Sequence, residues 1–435
     1  MQDGRTAGRA RDRRIRAARI RAGHIPAGHI RGGRTPAAHG ARHTAGTGPG
    51  RTARTLAVAL LVLGALTACT AHSGPEPGER DGGEGTGAPR AAAEPAAGEP
   101  REAFTVVATG DIIPYPSIIR QARLDAGGDG HDFTRILAGV KPVVETAGVA
   151  LCHMETPYGD KDGPFTGYPL FRSPPELARA LRATGYDSCS TASNHSLDDG
   201  FDGVRRTLDA LDAAGVRHSG TARSAAEAAR PARLAAGGAE IAHLSYTYGT
   251  NGIPLPGDRP WAVGMLEADK VIADARAARR AGADVVLVSV HWGTEWQQAP
   301  DAEQKRLAEE LTAARTGGRK DIDLVIGTHN HVPQPYEKVN GTWVVYGLGD
   351  QVASFVPADK RSGNEGSMAR FTFTPEPAGG GWDVTRAEFL VSHSDMGPPF
   401  RVVRATGRNF PEVHRRVREA VLSRGAAEDG LTEGR

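Results

Sequence analysis

The chain has 435 residues, 39% of them hydrophobic and 24% charged, which supplies a sizeable core and excludes a wholly disordered or collagen-like polypeptide. Its formal charge of +2 is unevenly placed: residues 1–68 hold 13 Arg and two Asp with no Lys or Glu, so residues 69–435 carry −9. An acidic main body argues against nucleic acid as a partner.

Residues 1–55 are low in complexity, rich in Arg and Gly and without Leu or Val, a composition that cannot build a core. Eleven apolar residues, Leu56 to Leu66, follow Arg51 and Arg54 and precede Thr67-Ala68-Cys69. A helix of that length falls short of the roughly 20 residues that a bilayer requires, but it suits the apolar stretch of a signal peptide. The run Leu66-Thr67-Ala68-Cys69 resembles a bacterial lipobox, which makes Cys69 the expected lipidated residue and the mature protein extracytoplasmic and membrane-anchored. Residues 1–68 thus read as prefix and signal peptide. Residues 69–101, dominated by Gly, Pro, Glu and Ala, read as a flexible tether.

The folded part is expected over 102–400, with a C-terminal helix and tail over 401–435. Phe104 to Ala108 predicts a buried strand that presents Asp111 at its carboxyl end, and Val149 to Met154 a second that ends at Glu155. Ser173-Pro-Pro-Glu176 has the spacing of a capping box and predicts a helix to Thr184, closed by Gly185. A strand over 186–190 leads to Ala192-Ser193-Asn194-His195, and a helix after Gly203 ends at Gly215. Cys152 and Cys189 each sit in an apolar run, so a disulfide and two small buried side chains both remain open.

Further strands are expected over 241–246, over 284–290 ending in His291, and over 323–326 ending in Gly327-Thr-His329-Asn-His331. Helices over 267–281 and 301–312 lie between them. Asn340-Gly341 signals a hairpin, and strands follow over 369–374 and 382–391. Strand and helix alternate first and hairpins come late, which predicts an α/β sheet with an antiparallel extension. Strand after strand ends in a metal-competent side chain, and in open α/β sheets ligands gather at the carboxyl ends of strands. The set lacks thiolates, which favours a pair of ions such as Mn, Fe or Zn over a structural zinc.

Six motifs in order, Thr109-Gly-Asp111, Met154-Glu155-Thr-Pro157, Ser193-Asn-His-Ser-Leu-Asp-Asp-Gly200, His291-Trp-Gly-Thr-Glu295, Gly327-Thr-His-Asn-His-Val332 and Tyr346-Gly-Leu-Gly-Asp350, resemble the CapA family of poly-γ-glutamate capsule synthesis proteins. That family is related to the calcineurin-like metallophosphoesterases, so the resemblance implies a layered α/β sandwich of mixed sheets flanked by helices. It makes Asp111 and His331 ligands of a first metal, Glu155 the bridging carboxylate, Asn194, His291 and His329 ligands of a second, and His195 a general acid.

Three positions depart from the pattern. Ile113 stands where phosphoesterases carry a ligand His, His153 shares the strand side of Glu155 and is placed to refill that vacancy, and Asp350 replaces an amide. His153 also reads as a hydrogen-bonded core residue. Glu295 is expected to support His291, Asp198 and Asp199 to cap the following helix, and Trp261, Trp292 and Trp296 to pack. The implied function is a metal-dependent hydrolase acting on a phosphoester or amide of an anionic polymer. The alternative is a non-catalytic component of a capsule assembly complex, with Arg172, Arg205 and Arg206 as anion contacts.

Overall fold

A computed structural model describes residues 100–377 and 380–435. The expected signal peptide, Cys69 and nearly all of the expected tether lie outside the described residues. In chain order the first half contains β1 (Phe104–Ile112), α1 (Pro116–Asp125), α2 (Thr134–Leu137), α3 (Lys141–Val144), β2 (Val149–Met154), α4 (Glu176–Thr184), β3 (Ser188–Ser190), α5 (Gly200–Ala214), β4 (Arg217–Ser219), α6 (Ala225–Ala228), β5 (Ala232–Ala236), β6 (Ala239–Thr247) and α7 (Ala268–Arg280). Then come β7 (Val285–His291), α8 (Ala302–Ala313), β8 (Arg315–Thr316), β9 (Arg319–Lys320), β10 (Leu324–Thr328), β11 (Tyr336–Val339), β12 (Thr342–Val345), β13 (Asp350–Val352), β14 (Glu365–Pro375), β15 (Trp382–Asp395), β16 (Arg401–Arg404), α9 (Pro411–Leu422) and β17 (Leu431–Glu433).

Two mixed sheets result. The larger runs β16-β15-β14-β1-β2-β3-β4, with β13 beside β1 and β17 beside β15; the other runs β11-β12-β10-β7-β6-β5. β1 to β4 are parallel, as are β6, β7, β10 and β12, while β14 to β16 and the β11–β12 hairpin are antiparallel. Alternation along each strand explains the layers, because successive side chains point to opposite faces. Val106, Ala108, Val149 and Leu151 of one sheet meet Val285, Leu287, Leu324 and Ile326 of the other in a shared apolar core. Their neighbours Val107, Ala150 and Cys152 turn outward under α1, α2 and α4, and Val286, Val288 and Val325 under α7 and α8. Strands buried on both faces read as continuous apolar runs, as these do. This is the expected layered α/β sandwich, helices outside and sheets inside.

Local chemistry sets the element ends. α5 buries Val204, Thr207, Leu208 and Leu211 on one stripe and stops where Gly215 turns left-handed at φ 76°. α8 begins with a reciprocal capping box: Gln304 N–H donates to Asp301 Oδ1 at 2.8 Å and Asp301 N–H to Gln304 Oε1 at 3.0 Å. At α4 the expected box does not form, because Pro175 takes the cap position and the Ser173 hydroxyl bonds Thr156 at 2.7 Å instead. α5 starts at Gly200, ahead of the expected site after Gly203. Cys152 and Cys189 face each other across β2 and β3 and form a disulfide. Residues 401–435 supply α9 and two strands, β16 and β17, that both pair with β15. No helix among the described residues is long and apolar enough to cross a membrane.

Candidate metal centre

The carboxyl ends of the parallel strands of both sheets meet at one end of the sandwich. At Gly110 an added Cβ would lie 1.7 Å from the Gly349 carbonyl oxygen, so only glycine lets β13 approach β1 closely. That approach sets Asp350 beside Asp111 in register. On β2 the inward set Val149, Leu151 continues to His153, and Cys152 points away into the disulfide. The turn after β3 is tied down by Ser193, whose hydroxyl donates to the Glu155 carbonyl at 2.5 Å, and this fixes Asn194 and His195. From the other sheet come His291 at the end of β7, and His329 and His331 just past β10 with positive φ of 97° and 58°. Left-handed backbone costs a non-glycine residue about 1–3 kcal/mol, and such residues gather where function over-determines the conformation.

Second partners orient most of these rings. His153 Nδ1 lies 2.7 Å from Ser190 Oγ, which leaves Nε2 3.7 Å from Asp111 Oδ1. His291 Nδ1 is 3.0 Å from Thr328 Oγ1 and its Nε2 2.9 Å from Asn194 Oδ1. His331 Nδ1 is 3.1 Å from Asp350 Oδ1, and the His329 amide donates to Asp111 Oδ2 at 3.0 Å. Ligand atoms of Asp111, His153 and His291 lie within 4.8 Å of one another, and so do those of Asp111, His331 and Asp350. Asp111 belongs to both groups. Glu155 belongs to neither, and its Oε1 faces His195 Nε2 at 4.0 Å.

Several buried atoms here have no hydrogen-bond partner: Asp111 Oδ1, His153 Nε2, both Glu155 oxygens, His329 Nδ1 and Asp350 Oδ2. Burying one such group costs about 1–3 kcal/mol, so six in one place mark a site completed by something else. The electrostatics agree. Burial, then the Asp350 charge, holds the Asp111 carboxyl well above the usual carboxylate range; burial, then Asp111 and Asp350, does the same to Glu155, and burial to Asp350. Burial also pulls His153 and His329 down to about 3 and His291 well below the ordinary histidine value. Neutral imidazoles and crowded carboxylates are what a divalent cation requires and reconciles.

The structure brings Asp111, Glu155, Asn194, His195, His291, His329 and His331 to this one place, and His153 and Asp350 with them. Ile113 is buried, and its aliphatic side chain offers no ligand atom. Other expectations change. Glu295 is exposed and does not hold His291; Thr328 does, because the chain turns at Gly293 (φ 89°) and carries Glu295 toward solvent. Asp198 caps no helix: its Oδ2 lies 2.7 Å from His195 Nδ1 and accepts the Phe171 amide at 2.8 Å. Asp199 occupies the cap position of α5 without a capping bond and pairs instead with Arg172 at 2.7 Å and with Arg206. Arg205 pairs with Asp202 at 3.3 Å, so none of the three arginines is an unengaged anion contact. Trp292 packs as expected, its ring buried and its N–H on the Tyr346 carbonyl at 2.8 Å.

Sequence reading missed Tyr248, whose ring lies 4.6 Å from that of His329, and Asn251, whose Nδ2 is 3.4 Å from His195 Nε2. Both sit in a Gly- and Pro-punctuated loop after β6 with no metal-ligand spacing to single them out. His243, buried between Ser188 and Ser289 at 2.9 Å each, was likewise hidden inside an apolar run.

A family profile described as bacterial capsule synthesis protein PGA_cap matches residues 105–354, and the chain belongs to that family. It is 31% identical over 220 residues to a probable polyglutamine synthesis accessory protein of Mycobacterium tuberculosis, covering 48% of this chain and 56% of that one. It is 28% identical over 180 residues to the PGA biosynthesis protein CapA of Bacillus subtilis, covering 41% and 45%. The chain thus spans about half the length of the curated relatives it matches. Among solved structures it is similar to the NAD nucleotidase of Haemophilus influenzae, with a TM-score of 0.38 and 11% identity over 76% of this chain and 64% of that one.

Proposed function

We propose that this chain is a lipid-anchored, extracytoplasmic hydrolase dependent on two divalent ions, Mn, Fe or Zn. On this reading it acts on a phosphoester or amide bond in the synthesis of a poly-γ-glutamate capsule or another cell-envelope polymer. The observation that carries the reading is the convergence of unpartnered buried donors from both sheets on Asp111. Asp111, His331 and Asp350 would hold one ion and Asp111, His153 and His291 the other, with Asn194, His329 and Glu155 beside them. Bound divalent ions supply a water acidic enough to ionise near neutral pH. Asp198 holds His195 by Nδ1, so Nε2 is the atom that delivers a proton to the leaving group. The reading as a non-catalytic polymer-binding component has less support, because Arg172, Arg205 and Arg206 are all engaged by carboxylates.

The test is metal analysis of the purified protein and of the double variant His329→Ala, His331→Ala, with hydrolysis assayed on a generic phosphodiester and on poly-γ-glutamate. Bound metal and hydrolysis should fall together in the double variant. Unchanged metal content in that variant removes the reading.

A further inference from the structure

One loop ties His195 to the metal centre. β6 ends at Thr247, and the chain then runs Tyr248-Gly-Thr-Asn251-Gly-Ile253. Its start is fixed to the smaller sheet, because the Tyr248 amide donates to the His291 carbonyl at 3.0 Å. Its tip is a tight turn with positive φ at both central residues, 51° at Asn251 and 76° at Gly252. That is the type I′ turn, for which Asn-Gly is a favoured pair. It is closed twice, by the Ile253 amide on the Thr250 carbonyl at 2.9 Å and by the Thr250 hydroxyl on the Ile253 carbonyl at 2.6 Å.

The turn carries the Asn251 carboxamide between two side chains of the site. Its Nδ2 lies 3.4 Å from His195 Nε2, and its Oδ1 accepts from Asn194 Nδ2 at 3.2 Å. Donors and acceptors along this path leave one consistent order. The Asp198 carboxylate accepts at His195 Nδ1, so the ring carries its hydrogen there and presents the lone pair of Nε2. The group at hydrogen-bond distance from Nε2 must then donate, which is what the amino end of Asn251 does. That leaves the Asn251 oxygen for Asn194 Nδ2, and Asn194 Oδ1 for His291 Nε2 at 2.9 Å. Turned the other way, the Asn251 amide would meet a lone pair with its oxygen and an N–H with its nitrogen.

We infer that Asn251 is a positioning residue for both neighbours: it fixes Asn194 with its oxygen toward the metal centre, and it occupies the place at His195 Nε2 that a leaving-group oxygen takes. The inference rests on the hydrolase reading for the role of His195. The 3.4 Å contact is long for a hydrogen bond, so a substrate oxygen displaces it at little cost, while the shorter one to Asn194 holds that amide. Asn251 is itself exposed, which gives its amide room to turn aside.

The test separates the turn from the carboxamide. Asn251→Gly accepts the positive φ without strain and removes the amide. Asn251→Asp keeps the turn and an oxygen facing Asn194, but puts an acceptor where His195 Nε2 meets a donor. Three measurements are made on the full-length protein: Tm and metal content at saturating metal, kcat and KM on a generic phosphodiester, and the histidine-ring nitrogen NMR spectrum of the metal-free protein. Both variants should keep Tm, metal content and KM and lose about 10–100-fold in kcat. In Asn251→Gly the Nε2 resonance that His195→Ala removes should move downfield, as an acceptor nitrogen does on losing its donor. Wild-type kcat with an unmoved resonance in Asn251→Gly, or wild-type kcat in Asn251→Asp, overturns the inference, and so does a loss of kcat that follows a fall in Tm. A moved resonance in a protein that hydrolyses nothing would sink the hydrolase reading and leave the Asn251 contact standing; hydrolysis that Asn251→Gly leaves intact would do the reverse.

Discussion

The imidazole of His153 lies stacked on that of His291, ring centroids 4.8 Å apart and planes within 26°, although one ring comes from β2 of the larger sheet and the other from β7 of the smaller. His153 is anchored by Ser190 through Nδ1 and offers a bare Nε2 toward Asp111. His153→Phe, which keeps the stacking volume and removes the donor, should lower metal affinity about 10–100-fold while the protein stays folded. Titration of the metal-stripped variant measures this, and affinity equal to the wild type would return His153 to the core.

His195 and Asn194 are neighbours with separable duties. His195→Ala should keep bound metal and lose about 10²–10⁴ in kcat, the usual worth of general acid assistance. Asn194→Ala should lose part of the metal instead, since its Oδ1 faces His291 Nε2. Asp198→Asn should lower kcat with KM little changed and displace the acidic or basic limb of the pH profile, because it removes the charge that faces Nδ1. Metal content and kcat measured side by side decide the matter, and metal loss confined to His195→Ala would invert the two roles.

Acid and base each withdraw stability from the metal-free protein, through different groups. Burial holds His153 and His329 at about 3 in the folded state, so the unfolded chain binds more protons between there and about 6.5. Their contribution to stability is complete above that range and is lost as pH falls through it. Asp111, Glu155 and Asp350 are raised, so theirs is complete below about 4 and is lost as pH rises through the folded values. A divalent cation removes the second loss by favouring the ionised carboxylates. The gap in Tm between metal-loaded and chelator-treated protein should therefore widen from about pH 5.5 to 8. A gap that narrows over that range contradicts the site.

The Cys152–Cys189 disulfide closes a segment with a sequence separation of 37 between its ends. Constraining the unfolded chain over such a loop is worth about 4 kcal/mol on the loop-entropy estimate. Cys152→Ala with Cys189→Ala should lower the unfolding free energy by roughly that amount in denaturant titrations. Since His153 and Ser190 directly follow the two cysteines, metal affinity should fall as well. Stability within error of the wild type would show that the bridge constrains little.

Cys69 is expected to carry lipid. The full-length protein made in a bacterial host should partition into detergent, and Cys69→Ser should partition into the aqueous phase at a different mature mass. Identical mass and partition for the two would remove the anchor.

Much of this molecule was legible in its sequence, for identifiable physical reasons. Strands buried on both faces, such as β7, announce themselves as unbroken apolar runs, and Gly185 and Gly215 mark helix ends because no other residue turns left-handed there so cheaply. Side-chain partners formed by folding were not legible. Ser173 has the spacing of a cap yet bonds Thr156, and Asp198 reads like a cap yet holds His195, because the partner in each case is decided by tertiary approach.

β14 forms a boundary of a kind that sequence similarity does not mark. The family match ends at residue 354, yet β1, which delivers Asp111, pairs along one side with β14 at residues 365–375, and β14 in turn with β15. A gene trimmed to the matched span would leave the inner strand that holds Asp111 as a raw edge, with Val106 stripped of Phe371 and Phe373. Such a fragment is a template for strand addition by its neighbours and belongs in inclusion bodies. Expression vectors and domain swaps within the family therefore have to carry the chain through the β17 contact with β15, about eighty residues past the last recognisable motif residue.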